Sequence, residues 1–166
     1  MLWPDYYYES VFDIDYQALW DRGIRGLIFD IDNTLTAYDA RGPSDETAAL
    51  LSELAETGFG LCLLTNNTNR RLRDFNAELG LPGFANAMKP FPWATRKAVR
   101  ALGVGREQAA IVGDQLFTDV WGGRNCGLLT VLVAPITQKD FAFVKFKRML
   151  ERRVLRGFFE GMGKTE

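Results

Sequence analysis

Short apolar runs alternate along this chain with stretches in which apolar residues recur at three- and four-residue spacing, the pattern of a parallel sheet covered by helices. Five runs predict strands: GLIFDI at 26–31, GLCLLT at 60–65, a short one near 84–88, AAIVGD at 109–114 and LLTVLV at 128–133. Between them the start and stop signals of helices are legible. Ser44 caps a helix that carries Asp45 and Glu46 in its first turn and ends at Gly58; Thr68 caps another that runs to Leu79 and stops at Gly80. Pro92 sits at the first turn of a helix over 93–102, and a short helix is predicted over 117–124. With no internal repeat or low-complexity tract, the 166 residues are expected to form one domain, 1–166, large enough to bury a core without staples.

The last 28 residues differ in character. From Lys139 to Glu166 there are eight basic and four acidic side chains, so this segment carries +4 while the overall formal charge is −1. Phe143, Phe146, Leu150 and Val154 recur at helical spacing with basic residues between them, which predicts a basic amphipathic segment over about 139–160. Two uses suit it: packing on the sheet, or peripheral contact with an anionic membrane through its basic side chains and Phe158 and Phe159. The aromatic cluster Trp3, Tyr6, Tyr7 and Tyr8 would add interfacial side chains there or, more simply, form an N-terminal clasp on the core. The N-terminus lacks a basic region followed by an apolar stretch, and no apolar run approaches spanning length. The expectation is therefore a cytoplasmic chain, with the inner membrane face as its one peripheral location. Cys62 and Cys126 have neither a metal-ligand spacing nor that of a disulfide framework and read as free thiols.

The chain contains no histidine, which excludes His general bases, Ser-His-Asp and Cys-His nucleophile arrangements, and His-ligated metals. Chemistry must then run on carboxylates, Lys, Ser/Thr or a hard metal. In a parallel sheet ligands sit at the carboxyl ends of the strands. Those ends read Asp30-Ile31-Asp32-Asn33-Thr34, Thr65-Asn66-Asn67, Lys89-Pro90, and Gly113-Asp114 continuing to Asp119. Three to four carboxylates, a hydroxyl and an ammonium on one edge suit Mg²⁺ and a phosphate, with Lys89 and Thr65 on the phosphoryl oxygens. Asp30 and Asp32, two apart on extended chain, can divide the work. Asp30 would attack phosphorus, and Asp32 would protonate the leaving oxygen and later deprotonate water. Arg70 and Arg71 follow the second motif and could reach an anionic substrate edge, or be ordinary surface arginines. Asn66 and Asn67 would support the phosphate loop through their amides, or simply make the turn; the first use is assigned to Asn66 only.

In order and in context, Asp30-x-Asp32-x-Thr34, Thr65-Asn66, Lys89 and Gly113-Asp114-x4-Asp119 resemble the four motifs of the haloacid dehalogenase (HAD) superfamily. The resemblance implies a Rossmann-like three-layer α/β fold with a mostly parallel sheet. It also implies Asp30 as nucleophile and metal ligand, and Asp32 as acid/base with its main-chain carbonyl on Mg²⁺. Asp114 would be a further ligand, Thr65, Asn66 and Lys89 phosphate-binding residues, and Asp119 a metal-shell or Lys-orienting residue. The spacing of 31 residues from Thr34 to Thr65 and 24 from Thr65 to Lys89 leaves no room for a cap domain, so the site should be open to large substrates. Nearly the whole chain further resembles the YqeG-type branch of subfamily IIIA, whose eukaryotic relatives include a mitochondrial phosphatidylglycerophosphate phosphatase. The stretches Leu2-Trp3-Pro4-Asp5-Tyr6, Asn66-Asn67, Lys89-Pro90 and Val112-Gly113-Asp114-Gln115-Leu116 carry that likeness. It implies a phosphatase with a phospholipid head group as substrate and a place in phospholipid biosynthesis. The alternatives are a nucleotide, sugar phosphate or phosphoprotein as substrate, or a non-catalytic module that docks to RNA or a ribosome through the basic C-terminus. The intact acid pair disfavours that last reading, and nucleic acid is not expected as a partner.

Overall fold

The computed structural model describes residues 3–137 and Arg156. The segment expected over 139–160 lies, Arg156 apart, outside the described residues. Six strands form one sheet: β1 (Tyr6–Tyr8), β2 (Gly26–Phe29), β3 (Gly60–Leu64), β4 (Gly83–Phe84), β5 (Ala109–Gly113) and β6 (Leu129–Val133). Their order is β1-β6-β5-β2-β3-β4 and every neighbouring pair is parallel. The helices are α1 (Tyr16–Asp21), α2 (Asp45–Thr57), α3 (Asn69–Asn76), α4 (Pro92–Leu102) and α5 (Trp121–Asn125), joined by a 3₁₀ turn at Arg106–Gln108 and a π-helical turn at Leu116–Val120.

The continuous apolar runs follow from helices on both sheet faces. Leu27, Phe29, Leu61, Leu63, Ala110 and Val112 pack with Leu19 of α1, Leu51 and Leu54 of α2 and Phe75 of α3. The intervening Ile28, Cys62, Leu64, Ala109 and Ile111 pack with Ala94 and Ala98 of α4 and with Cys126. This is the three-layer fold expected from the sequence. Ser44 caps α2 by accepting the Thr47 N–H, Thr68 caps α3 by accepting that of Arg71, and Gly58 closes α2 at φ 111°.

The differences from expectation have local causes. Strand β4 is only two residues long, because Asn86 and Met88 adopt left-handed φ angles of 49° and 53° that no strand accommodates. Helix α3 stops at Asn76, whose side-chain amide bonds both the N–H and the C=O of Leu81. The helix predicted over 117–124 divides into the π-helical turn and α5. The N-terminal aromatic cluster contributes an edge strand: Asp5 Oδ2 accepts the Thr130 N–H and O–H, each at 2.8 Å, and so seats β1 beside β6.

Candidate active site

The chain runs from β2 outward through β3 to β4, then crosses back to place β5 on the other side of β2. At such a reversal the loops after the two central strands part and leave a crevice at their carboxyl ends. Asp30 follows β2 directly, its N–H bonded to Val112 C=O at 2.9 Å, and Asp114 follows β5 directly. Thr65 follows β3, and Lys89 lies five residues past β4. All four are buried, as is Asp119 in the π-helical turn.

Lys89 is the hub. Its ammonium donates to Asp30 Oδ1 at 2.7 Å, to Asp119 Oδ1 at 2.6 Å and to Leu64 C=O at 3.1 Å, which uses all three of its protons. Asn66 fixes the main chain beneath it, accepting the Lys89 N–H at 2.7 Å and donating to the Lys89 C=O at 3.2 Å. The amide of Asn66 is thus spent on positioning the lysine. Asp119 is turned inward by the Gln115 N–H on its Oδ2 at 3.1 Å, and a Cβ at Gly113 would overlap its side chain, so only glycine at the end of β5 allows this approach. Thr34 donates to the second oxygen of Asp30 at 3.2 Å.

Carboxylate oxygens of Asp30, Asp114 and Asp119 lie within 4.8 Å of one another. Bringing three buried carboxylates this close together around one ammonium is costly for their charged forms. Clustered hard oxygen donors of this kind fit a divalent cation such as Mg²⁺. The local field agrees. Burial pushes the Asp30 carboxyl up to about 7 against the pull of Lys89, with Asp119 and Asp32 adding to the rise. Burial alone would pull Lys89 down, but the carboxylates of Asp119 and Asp30 override it and hold the ammonium charged.

Asp32 stands apart from this cluster. Its oxygens accept from Asn67 Nδ2 at 3.1 Å and Arg71 Nε at 2.8 Å, and Arg71 also donates to Ala40 C=O at 2.6 Å and Arg41 C=O at 2.9 Å. Arg71 is therefore a clamp on Asp32 and on the loop after β2, whereas Arg70 is exposed and 3.9 Å from Asp74. The contacts of Asn67 and Arg71 with Asp32 were not assigned from the sequence, where Asn67 belongs to the turn and Arg71 stands between an anionic substrate edge and the surface; the signal was their place one and five residues past the second motif's Asn66. The turn after Asp32 is held by Asn33, at φ 63°, whose Oδ1 accepts the Thr137 O–H at 2.6 Å.

Comparison with known proteins places this geometry. A family model described as HAD-hydrolase-like matches residues 86–135. The probable phosphatase YqeG of Bacillus subtilis is 36% identical over 152 residues, covering 92% of this chain and 88% of that protein. Phosphatidylglycerophosphate phosphatase 1 of Arabidopsis thaliana is 27% identical over 86% of this chain, which spans 44% of the plant protein. Among solved structures, a HAD phosphatase from Thermococcus onnurineus superposes with a TM-score of 0.58 at 18% identity, over 72% of this chain and 90% of that one.

Proposed function

The chain belongs to the haloacid dehalogenase phosphatases, in the branch of Bacillus subtilis YqeG, and from that premise we propose a Mg²⁺-dependent phosphomonoesterase that works through a phosphorylated Asp30 and converts phosphatidylglycerophosphate to phosphatidylglycerol. The observation that carries the chemistry is the buried bridge Asp30–Lys89–Asp119 beside Asp114 at the reversal of strand order. The lipid substrate is supported by the name of the plant relative and by the basic C-terminal segment.

An oxygen of Asp30 attacks phosphorus; the P–O ester bond breaks and an acyl phosphate forms on Asp30. Asp32 gives its proton to the leaving glycerol oxygen. It then takes a proton from the water whose oxygen attacks the same phosphorus, which releases inorganic phosphate and restores the Asp30 carboxylate. Turning Asp32 from Arg71 toward the leaving oxygen is the motion this step requires. Lys89, by exchanging one carboxylate for a phosphoryl oxygen, and Thr65, whose hydroxyl accepts the Asn67 N–H and keeps its own proton to donate, hold the transferring group. Asp119 keeps the ammonium in place during that exchange. Asp30, Asp114 and the main-chain carbonyl of Asp32 would hold Mg²⁺, which would supply the positive charge that lets an anionic nucleophile meet an anionic phosphate.

The test is phosphate release, with and without Mg²⁺, from phosphatidylglycerophosphate in mixed micelles against nucleotides, sugar phosphates and a phosphopeptide. Metal-dependent turnover of the lipid is expected. Turnover of soluble substrates alone would remove the lipid assignment. Absence of all hydrolysis, with salt-sensitive RNA binding, would remove the enzymatic one.

A further inference from the structure

Helices α4 and α5 are neighbours of unequal length: at about 1.5 Å per residue, the 11 residues of α4 rise about 16 Å and the 5 of α5 about 7 Å. Helix α5 docks on the start of α4. A Cβ at Gly122 would stand 3.3 Å from Pro90 Cα, and the Cys126 thiol donates to the Pro92 C=O at 3.7 Å. Gly127, at φ 74°, then turns the chain toward β6. The later turns of α4 are left without a helix alongside, and a notch of about 230 Å³ opens there, lined by Arg96, Val99, Arg100, Arg106, Asn125 and Cys126. Between parallel strands the chain returns from the carboxyl edge of the sheet to its amino edge. Arg106, in the 3₁₀ turn that leads into β5, and Asn125 and Cys126, which lead into β6, therefore stand toward the edge opposite Asp30 and Asp114.

The walls of the notch carry three guanidiniums and no carboxylate. Arg96 and Arg100 are one turn apart on α4, and the Arg106 side chain crosses to Gly127, where a Cβ would stand 3.4 Å from its Cδ. Arg96 faces the sulfur of the buried Cys126: burial pushes that thiol up and the guanidinium beside it pulls it down. Arg70, Arg71 and Arg124 each pair with a carboxylate, whereas among the described residues none of these three does. Glu107, the one acid between residues 92 and 110, has its carboxylate against Gly105 and does not line the notch. Arg100 complements the carboxyl end of α4, but Arg96 is mid-helix and Arg106 lies in no α-helix, so the helix dipole does not account for all three. With −1 overall and +4 on residues 139–166, the rest of the chain carries −5, so the cluster runs against the sign of the domain that holds it.

The side-chain chemistry selects the ligand. Each guanidinium offers a planar fork that takes two oxygens of a phosphate, and Asn125 adds an amide donor. The neighbouring Lys97 is spent elsewhere, its ammonium 4.9 Å from the centre of the Trp93 ring. The volume lies below the roughly 300–1,000 Å³ of pockets that enclose drug-sized molecules, which suits a compact anion. Basic side chains that ring one concavity, instead of following a groove, do not track a nucleic-acid backbone.

We propose that this notch is a binding site for inorganic phosphate or diphosphate, separate from the catalytic centre. Arg96, Arg100 and Arg106 hold the anion between α4 and the turn before β5, above a floor of Val99 and Cys126.

Amide NMR shifts of the metal-free full chain, titrated with phosphate or diphosphate at constant ionic strength, separate the two sites. Saturable shifts are expected at residues 96–100, 106 and 125–127, on a curve of their own, with diphosphate the tighter ligand and chloride without effect. The double variant Arg100→Gln, Arg106→Gln is expected to bind at least about tenfold more weakly, or about 1.4 kcal/mol, while the response of the Asp30 and Thr65 amides and the thermal unfolding stay those of the wild type. Unmoved notch amides, a variant that binds equally well, shifts that chloride reproduces, or notch shifts that only follow the active-site curve overturn the proposal. Shifts with an RNA oligonucleotide and none with diphosphate overturn it too and make the cluster a nucleic-acid contact. No hydrolysis is measured, so failure of the proposed phosphatase reaction would leave this result standing.

Discussion

Replacing Asp30 with Asn in chelator-treated protein changes how stability depends on pH, and the sign follows from the burial of that carboxyl. Its pKa is about 7 in the folded chain against an unfolded value of 3.8. The folded state therefore binds the proton more tightly, so Asp30 contributes stability at acid pH that disappears as pH rises through about 7. Between about pH 5 and about pH 8 the wild type loses ~3 kcal/mol through this one group, at about 1.4 kcal/mol per unit while the unfolded carboxyl is ionised and the folded one still protonated, levelling off above about pH 7. The Asp30→Asn variant has no such loss, and Lys89 keeps Asp119 and the Leu64 carbonyl as partners. Urea unfolding of both proteins at the two pH values measures the difference. The variant should gain about 3 kcal/mol relative to the wild type at the higher pH, a large share of the stability of a domain this size, and Mg²⁺ should narrow the gap by stabilising the wild type. A stability difference that is flat with pH, or that favours the wild type more at high pH, would refute the premise that burial raises the Asp30 carboxyl.

Lys89→Met leaves Asp30 and Asp119 buried without their shared cation, and urea unfolding near neutral pH should show a loss of roughly 3–5 kcal/mol, with Mg²⁺-dependent hydrolysis abolished. Gly113→Ala forces Asp119 away from the lysine; hydrolysis should fall at least about a hundredfold while the protein loses ~1–3 kcal/mol of stability, the range for overpacking. Arg71→Met releases the loop after β2, which Arg71 tethers through the Ala40 and Arg41 carbonyls, and kcat should fall about tenfold or more with KM for a small soluble phosphomonoester little changed, since that loop positions the acid Asp32 rather than binding phosphate. An Arg71→Met protein with raised KM and unaltered kcat would instead mark Arg71 as a substrate contact.

The parts of the site that sit at strand ends were legible, because the apolar runs that mark strands also mark where they stop. Asp30, Thr65 and Asp114 are each the first residue past a buried strand, and all the sheet's carboxyl ends share one edge. What could not be read is who holds whom. Asn66 was expected near the phosphate, yet both ends of its amide go to the backbone of Lys89, 23 residues away. Asn33 meets Thr137 across 104 residues, a contact that only the closed fold creates. Strand β1 escaped notice because three consecutive tyrosines have strand propensity but no periodicity, and its place is set by Asp5 gripping Thr130.

The central claim is that Asp30 carries the phosphoryl group, and trapping that species tests it most directly. Protein mixed with phosphatidylglycerophosphate and Mg²⁺, quenched in acid during turnover and digested, should yield a peptide with one added phosphoryl mass on Asp30. The Asp30→Asn protein should show no such peptide and no turnover. Steady phosphate release with Asp30 never modified, or undiminished release by Asp30→Asn, would contradict the account.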